Sequence, residues 1–96
     1  MEQYFEWDDK KAEINCRKHG IRFEEAALVF DDPLCVSEQD RVEGGEQRWQ
    51  TIGMIGDCLL LLVAHTVRFE DEDIEIVRII SARRADRKER RRYERG

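Results

Sequence analysis

Seven consecutive residues, Cys58-Leu59-Leu60-Leu61-Leu62-Val63-Ala64, constrain this chain more than any other stretch. They are apolar at both parities, so an extended segment here turns neither face to water and belongs in the middle of a sheet covered on both sides. Periodicity alone fits a buried helix equally well. The turn signals on either side, Gly56-Asp57 before it and the acidic residues 70–73 after it, decide for a strand.

The other elements arrange themselves around that strand. Tyr4-Phe5-Glu6-Trp7 reads as a short aromatic strand ending at Asp8-Asp9, either of which can cap a helix over residues 10–19 by accepting from its free amides. Gly20 suits the left-handed position that closes such a helix. Residues 23–30 place Phe23, Ala26, Ala27 and Phe30 on one helical face, and Asp32-Pro33 stops the helix. Strands follow over 34–37, 48–53, 58–65 and 74–81, joined by connections short enough to predict an antiparallel meander. A last helix is expected over 84–95. The order β-α-α-β-β-β-β-α predicts an α+β fold: a helical hairpin packed on one face of a twisted antiparallel sheet of four to five strands, with a C-terminal basic helix. The other sheet face is left for a ligand. Ninety-six residues suffice for one domain spanning 1–96, since a chain this long buries roughly 60–65% of its unfolded surface.

Charge is distributed unevenly. From residue 83 onward there are eight Lys and Arg against three acids, about +5, while the first 82 residues carry nine against nineteen, about −10. The acidic total therefore conceals a local anion-binding footprint at the end of the chain. No apolar stretch approaches the ~18 residues of a membrane span, and the acidic amino terminus has no signal-peptide character, so a cytoplasmic protein with no membrane contact is expected. Cys16, Cys35 and Cys58 are odd in number and lack metal or redox spacing, which predicts buried free thiols and no metal or cofactor.

Several side chains stand out as candidates. Arg78 interrupts the stripe Ile74, Ile76, Arg78, Ile80 that strict alternation draws, and a guanidinium there requires either a carboxylate partner or an anionic ligand. Arg83 falls where the sheet rim meets a helix, an exposed but rigid position. His65 ends the apolar strand and could exchange protons near neutral pH. Lys18 and His19 complement the negative end of the first helix, and Lys11, Asn15 and Lys18 share one polar face that could either be solvated or contact phosphate. Trp7 and Trp49 read as packing residues, with base stacking by Trp49 the alternative. The final helix has only Ala85 and Tyr93 as non-polar positions, so loose docking is expected.

Four blocks in order resemble a known family. Trp7-Asp8-x-x-Lys11-Ala12-x-x-Asn15-x-x-Lys18-His19-Gly20-Ile21-x-Phe23 comes first, then Phe30-x-Asp32-Pro33. Glu46-x-Arg48-x-x-x-Ile52-Gly53 follows, and Arg78-Ile-Ile-Ser81-Ala82-Arg83-x-Ala85 with Glu89-Arg90 and Tyr93 completes the set. Together they resemble the BrnT toxins of type II toxin–antitoxin modules, whose fold is like that of the RelE ribonucleases. The resemblance implies an RNA-cleaving toxin, and since no His, Cys, Asp or Glu cluster in the sequence has the ligand count of a catalytic site, cleavage without metal is expected. It also implies a partner, the antitoxin BrnA with its ribbon-helix-helix domain, through which alone the complex reaches operator DNA and represses its operon. Carried onto these positions, it implies transition-state stabilisation by Arg83 and Arg48, with Arg78 a third candidate. Proton transfer falls to His65 or Tyr93, and RNA binding to Lys18, His19, Arg84, Arg87 and Arg91. The alternative is a module without turnover that binds a DNA-binding partner. The chain itself shows no ribbon-helix-helix segment and no wrapping tail, which argues that it is not the antitoxin.

Overall fold

The computed structural model describes residues 1–96 and comprises β1 (Glu2–Glu6), α1 (Asp9–His19), α2 (Phe23–Ala26), a 3-10 turn (Ala27–Asp31), β2 (Val36–Glu43), β3 (Glu46–Ile55), β4 (Leu59–Asp71), β5 (Ile74–Arg84) and α3 (Arg87–Arg95). The strands form one sheet in the order β1-β5-β4-β3-β2. The α+β architecture is the one expected. One pairing departs from the meander, because β1 lies parallel to β5, with Glu2 opposite Ile74 and Glu6 opposite Arg78. No helix is long and apolar enough to cross a membrane.

The apolar segment is the heart of β4, which pairs with β3 on one side and β5 on the other. Its two parities serve two different layers. Leu61 and Val63 join Phe23, Ala26, Val29, Val77, Ile79 and Ala82 beneath α1 and α2, and Trp7 meets Phe23 edge-on at 6.0 Å. Leu60 and Leu62 point the other way and form a smaller cluster with Ile52, against which Met54, Ala85 and Tyr93 pack. One face of the sheet is thus covered by the helical hairpin except at its far end, where Phe69 is exposed, and the other is covered only at the end where α3 docks.

Asp8 caps α1 through amides of Lys10 and Lys11, at 2.9 and 3.0 Å, and Gly20 ends it at φ 71 with its amide donating to Cys16. The second helix stops short of expectation and tightens into the 3-10 turn after Ala26. That turn presses directly on β3. A Cβ on Gly53 would lie 2.5 Å from Val29 Cγ1 and 2.9 Å from the Val29 carbonyl oxygen, so only glycine allows the approach.

Asn15 belongs to this packing rather than to a polar helix face. It is buried, its amide nitrogen donates to the carbonyls of Ile21 (3.2 Å) and Ala82 (2.9 Å), and its oxygen accepts from the Ala82 amide at 3.1 Å. The thiols also differ from expectation: Cys58 is exposed in the turn before β4, while Cys16 and Cys35 are half-buried. The final helix begins at Arg87 because β5 continues through Arg84, where it still pairs with Leu61.

Candidate nucleic-acid interface

The face opposite the hairpin carries the arginines, and a β-bulge is what gathers them. In the β4–β5 ladder Ala64 lies opposite Ser81 but His65 lies opposite Ile79, so Ile80 is extra. Strict alternation would send Arg78 and Arg83 to opposite faces. The inserted residue reverses the parity of β5, so Val77 and Ile79 before it and Ala82 after it all face the hairpin. Arg78, opposite Thr66, and Arg83, opposite Leu62, then share the open face. Arg48 joins them, since its neighbour Trp49 is opposite His65 on the hairpin side.

Each of these cations has a carboxylate. Arg83 donates from two nitrogens to the two oxygens of Glu89, both at 2.8 Å. Glu89 is almost wholly buried and is itself fixed by a reciprocal cap, accepting from the Asp86 amide at 2.8 Å while its own amide donates to Asp86. The Arg83 fork holds the Glu89 carboxyl below its ordinary range against the opposing cost of burial. Arg78 reaches across β4 to Glu46 on β3. Arg48 approaches Glu43 at 3.9 Å, and its buried Nε–H has no acceptor. Arg68 grips Glu6 with two nitrogens, at 2.7 and 3.1 Å, and Arg92 of α3 reaches Glu38 of β2 at 2.6 Å.

The two residues expected to move protons do not join this face as free groups. His65 is 2% exposed and lies on the hairpin side under Phe30, whose ring centroid is 4.9 Å away. Its Nε2 is 2.7 Å from the Thr51 hydroxyl, which continues to Ser37 at 2.7 Å. Burial pushes its pKa down, so the ring is held neutral as a structural group, and the assignment of proton transfer to His65 fails on geometry. Tyr93 does reach the arginine side, but its hydroxyl donates to Asp32 Oδ2 at 2.7 Å, and that carboxylate raises the tyrosine pKa. Burial opposes the ionised form of Asp32, yet donors from Tyr93, Met54 and Leu34 outweigh it and keep the carboxyl low. This bond, the Arg83–Glu89 fork and the Arg92–Glu38 pair anchor α3 where its two apolar positions alone would not.

The remaining candidates lie apart. Lys18 is exposed and His19 half-buried at the end of α1, beside Ile80 and Ser81 along β5. Arg84, opposite Leu61, points to the hairpin side, and Arg87 and Arg91 are exposed on α3. Two contributors carry a local signal in the sequence. Asp86-x-x-Glu89 is a capping signature that marks the true start of α3, and Glu46-x-Arg48 has the two-residue spacing that puts both side chains on one face of a strand.

The family profile described as the ribonuclease toxin BrnT of type II toxin–antitoxin systems matches residues 7–89. The crystal structure of the Brucella abortus ribonuclease toxin BrnT is similar in fold, with a TM-score of 0.61 and 23% sequence identity over 91% of this chain and 100% of that one. No sequence among curated proteins matches significantly.

Proposed function

The chain belongs to the BrnT family of type II toxin–antitoxin ribonuclease toxins, and on that premise we propose that it is a metal-independent endoribonuclease that works on the open face of its sheet. It acts in the cytoplasm and is neutralised by a BrnA-like antitoxin with a ribbon-helix-helix domain. The complex contacts operator DNA through that antitoxin and represses its own operon.

The observation that carries the reading is that Arg48, Arg78 and Arg83 share one face of the sheet, Arg78 and Arg83 through the bulge at Ile80. Cleaving RNA by attack of its own 2′-hydroxyl builds negative charge on the phosphorane, and fixed guanidinium groups stabilise that charge without reorganising at the moment of reaction. Arg83 is the best fixed of the three because a capped, buried carboxylate holds its fork. No three His, Cys, Asp or Glu side chains come together as a metal site, so the reading assigns charge stabilisation to the arginines.

The test is cleavage of a labelled RNA by purified protein freed from its antitoxin, with and without EDTA. Arg48→Ala is expected to slow cleavage by about two to three orders of magnitude, the scale of one lost oxyanion donor. At Arg83 alanine would strand the buried Glu89, so Arg83→Lys is the cleaner probe: it keeps the charge and loses the fork. Wild-type rates in folded Arg48→Ala and Arg83→Lys would remove these residues from the mechanism. Abolition by EDTA, with recovery on one added divalent ion, would overturn metal independence. A folded protein that binds its partner and cleaves no RNA would favour the interaction module.

A further inference from the structure

Cleavage by this route needs a group that takes the proton from the 2′-hydroxyl, and the open face has few. Arginine cannot serve, His65 lies on the other side of the sheet, and Tyr93 donates its proton to Asp32. Of the carboxylates that pair with its arginines, Glu70 belongs to the far end of β4, which leaves Glu6, Glu38, Glu43, Glu46 and Glu89. Four are poorly suited. Glu89 is buried with both oxygens engaged, Glu6 gives both oxygens to Arg68 on the edge strand β1, Glu38 holds Arg92 of α3, and Glu43 sits on the edge strand β2 with Arg41 at 3.1 Å. Glu46 differs. Like Glu38 and Glu43 it keeps one oxygen without a partner, but it stands on the inner strand β3, meets Arg78 with its other oxygen, is 44% exposed, and lies two residues from Arg48 on the same face. Two residues along a strand span about 7 Å, room for one phosphodiester between the guanidinium of Arg48 and the carboxylate.

We propose that Glu46 is the general base of RNA cleavage, held by Arg78 and facing Arg48 across the scissile phosphate. The inference rests on the ribonuclease reading above and names its missing catalytic group. The free oxygen of Glu46 takes the proton of the 2′-hydroxyl, and the 2′-oxygen forms a bond to phosphorus. The bond from phosphorus to the 5′-oxygen breaks, and that oxygen leaves with a proton from water. The products are a 2′,3′-cyclic phosphate and a 5′-hydroxyl end, and Glu46 returns its proton to solvent. The charged groups around it are Glu43 directly opposite on β2, Arg48 on its own strand, Arg68 on β4 and Arg78 on β5.

The experiment compares wild type, Glu46→Gln and Glu46→Asp for single-turnover rate against pH, RNA affinity and product ends. Glu46→Gln is expected to lower the rate by roughly 10²–10⁴-fold, the usual contribution of a positioned base. It should leave RNA affinity unchanged and abolish the fall in rate on the acid side. Glu46→Asp should recover part of the rate and restore that acid limb. A residue that merely held Arg78 in place would change affinity or thermal midpoint and leave the acid limb where it was. If wild type yields cyclic phosphate ends and Glu46→Gln cleaves as fast with the same acid limb, the base assignment is overturned while the ribonuclease reading stands. Wild-type cleavage that leaves 5′-phosphate ends overturns the assignment as well. No cleavage by folded wild type overturns both.

Discussion

Replacing Asn15 by alanine removes three hydrogen bonds that tie α1 and the Ile21 turn to β5. Each contributes about 1 kcal/mol net, and the buried Ala82 amide and carbonyl are then left without partners, so a loss of about 3 kcal/mol is expected. For a chain of this size that corresponds to a fall in Tm of roughly 12–24 °C. Urea denaturation monitored by circular dichroism reads it directly, as a lower midpoint at unchanged slope. Asn15→Asp is the sharper probe. It keeps the acceptor for the Ala82 amide but turns a carboxylate oxygen toward the carbonyls of Ile21 and Ala82, and it should cost at least as much as alanine. A loss below about 1 kcal/mol in both variants would show that water replaces the amide and that the bonds do not hold the strand. The consequence reaches the site, because Ala82 immediately precedes Arg83.

Two further perturbations test packing. Gly53→Ala drives a methyl against the Val29 carbonyl, which cannot rotate away, so a loss of about 3 kcal/mol at the upper end of overpacking costs is expected by urea titration; a neutral effect would mean that the 3-10 turn moves freely. His65 has a pKa lowered by burial, so the unfolded chain binds its proton first and stability falls as pH drops through about 6.5. His65→Gln should flatten that slope between about pH 5 and pH 7, and a slope unchanged by the substitution would assign it to another group.

The legible parts of the fold are those in which one residue pattern answers to one environment. The run 58–64 announced the central strand because being apolar at both parities has few other uses, and Asp8 and Gly20 announced the ends of α1 by conformational preference. The same run hid the face of His65. Where both parities are apolar, counting residues from Leu61 and Val63 gives no clue to which side the hairpin covers. The strand Val36–Glu43 runs past the expected 34–37 with little to announce it because, at the sheet edge, nearly all of it is exposed and little apolar patterning marks it. The parallel pairing of β1 with β5 joins residues some seventy apart and leaves no local trace. The bulge at Ile80, on which the proposed site depends, is least visible, since it is a property of register between two strands. Arg78, Arg83 and Arg48 were each nameable as candidates, but their convergence was not.

The charge on this molecule divides into two populations, which gives a last prediction. Arg48, Arg68, Arg78, Arg83 and Arg92 each hold a carboxylate, so the open face is close to neutral before RNA arrives. Arg84, Arg87, Lys88, Arg90, Arg91 and Arg95 form no ion pair, and they supply the net positive field. An unpaired cation attracts phosphate at a distance and releases counterions on contact, whereas a paired one must first exchange its partner. On the proposed reading, encounter falls to α3 and the transition state to the sheet. Arg87→Gln combined with Arg91→Gln should raise KM and make the dependence of log affinity on log salt shallower by up to about 1.4, at ~0.7 per phosphate on a single strand, with kcat unchanged. Arg48→Ala should show the reverse pattern, a fall in kcat with little change in salt slope. Single-turnover kinetics and RNA affinity across a salt series separate the two. A fall in kcat in the α3 double variant as large as that of Arg48→Ala, or an unchanged salt slope, would refute the division.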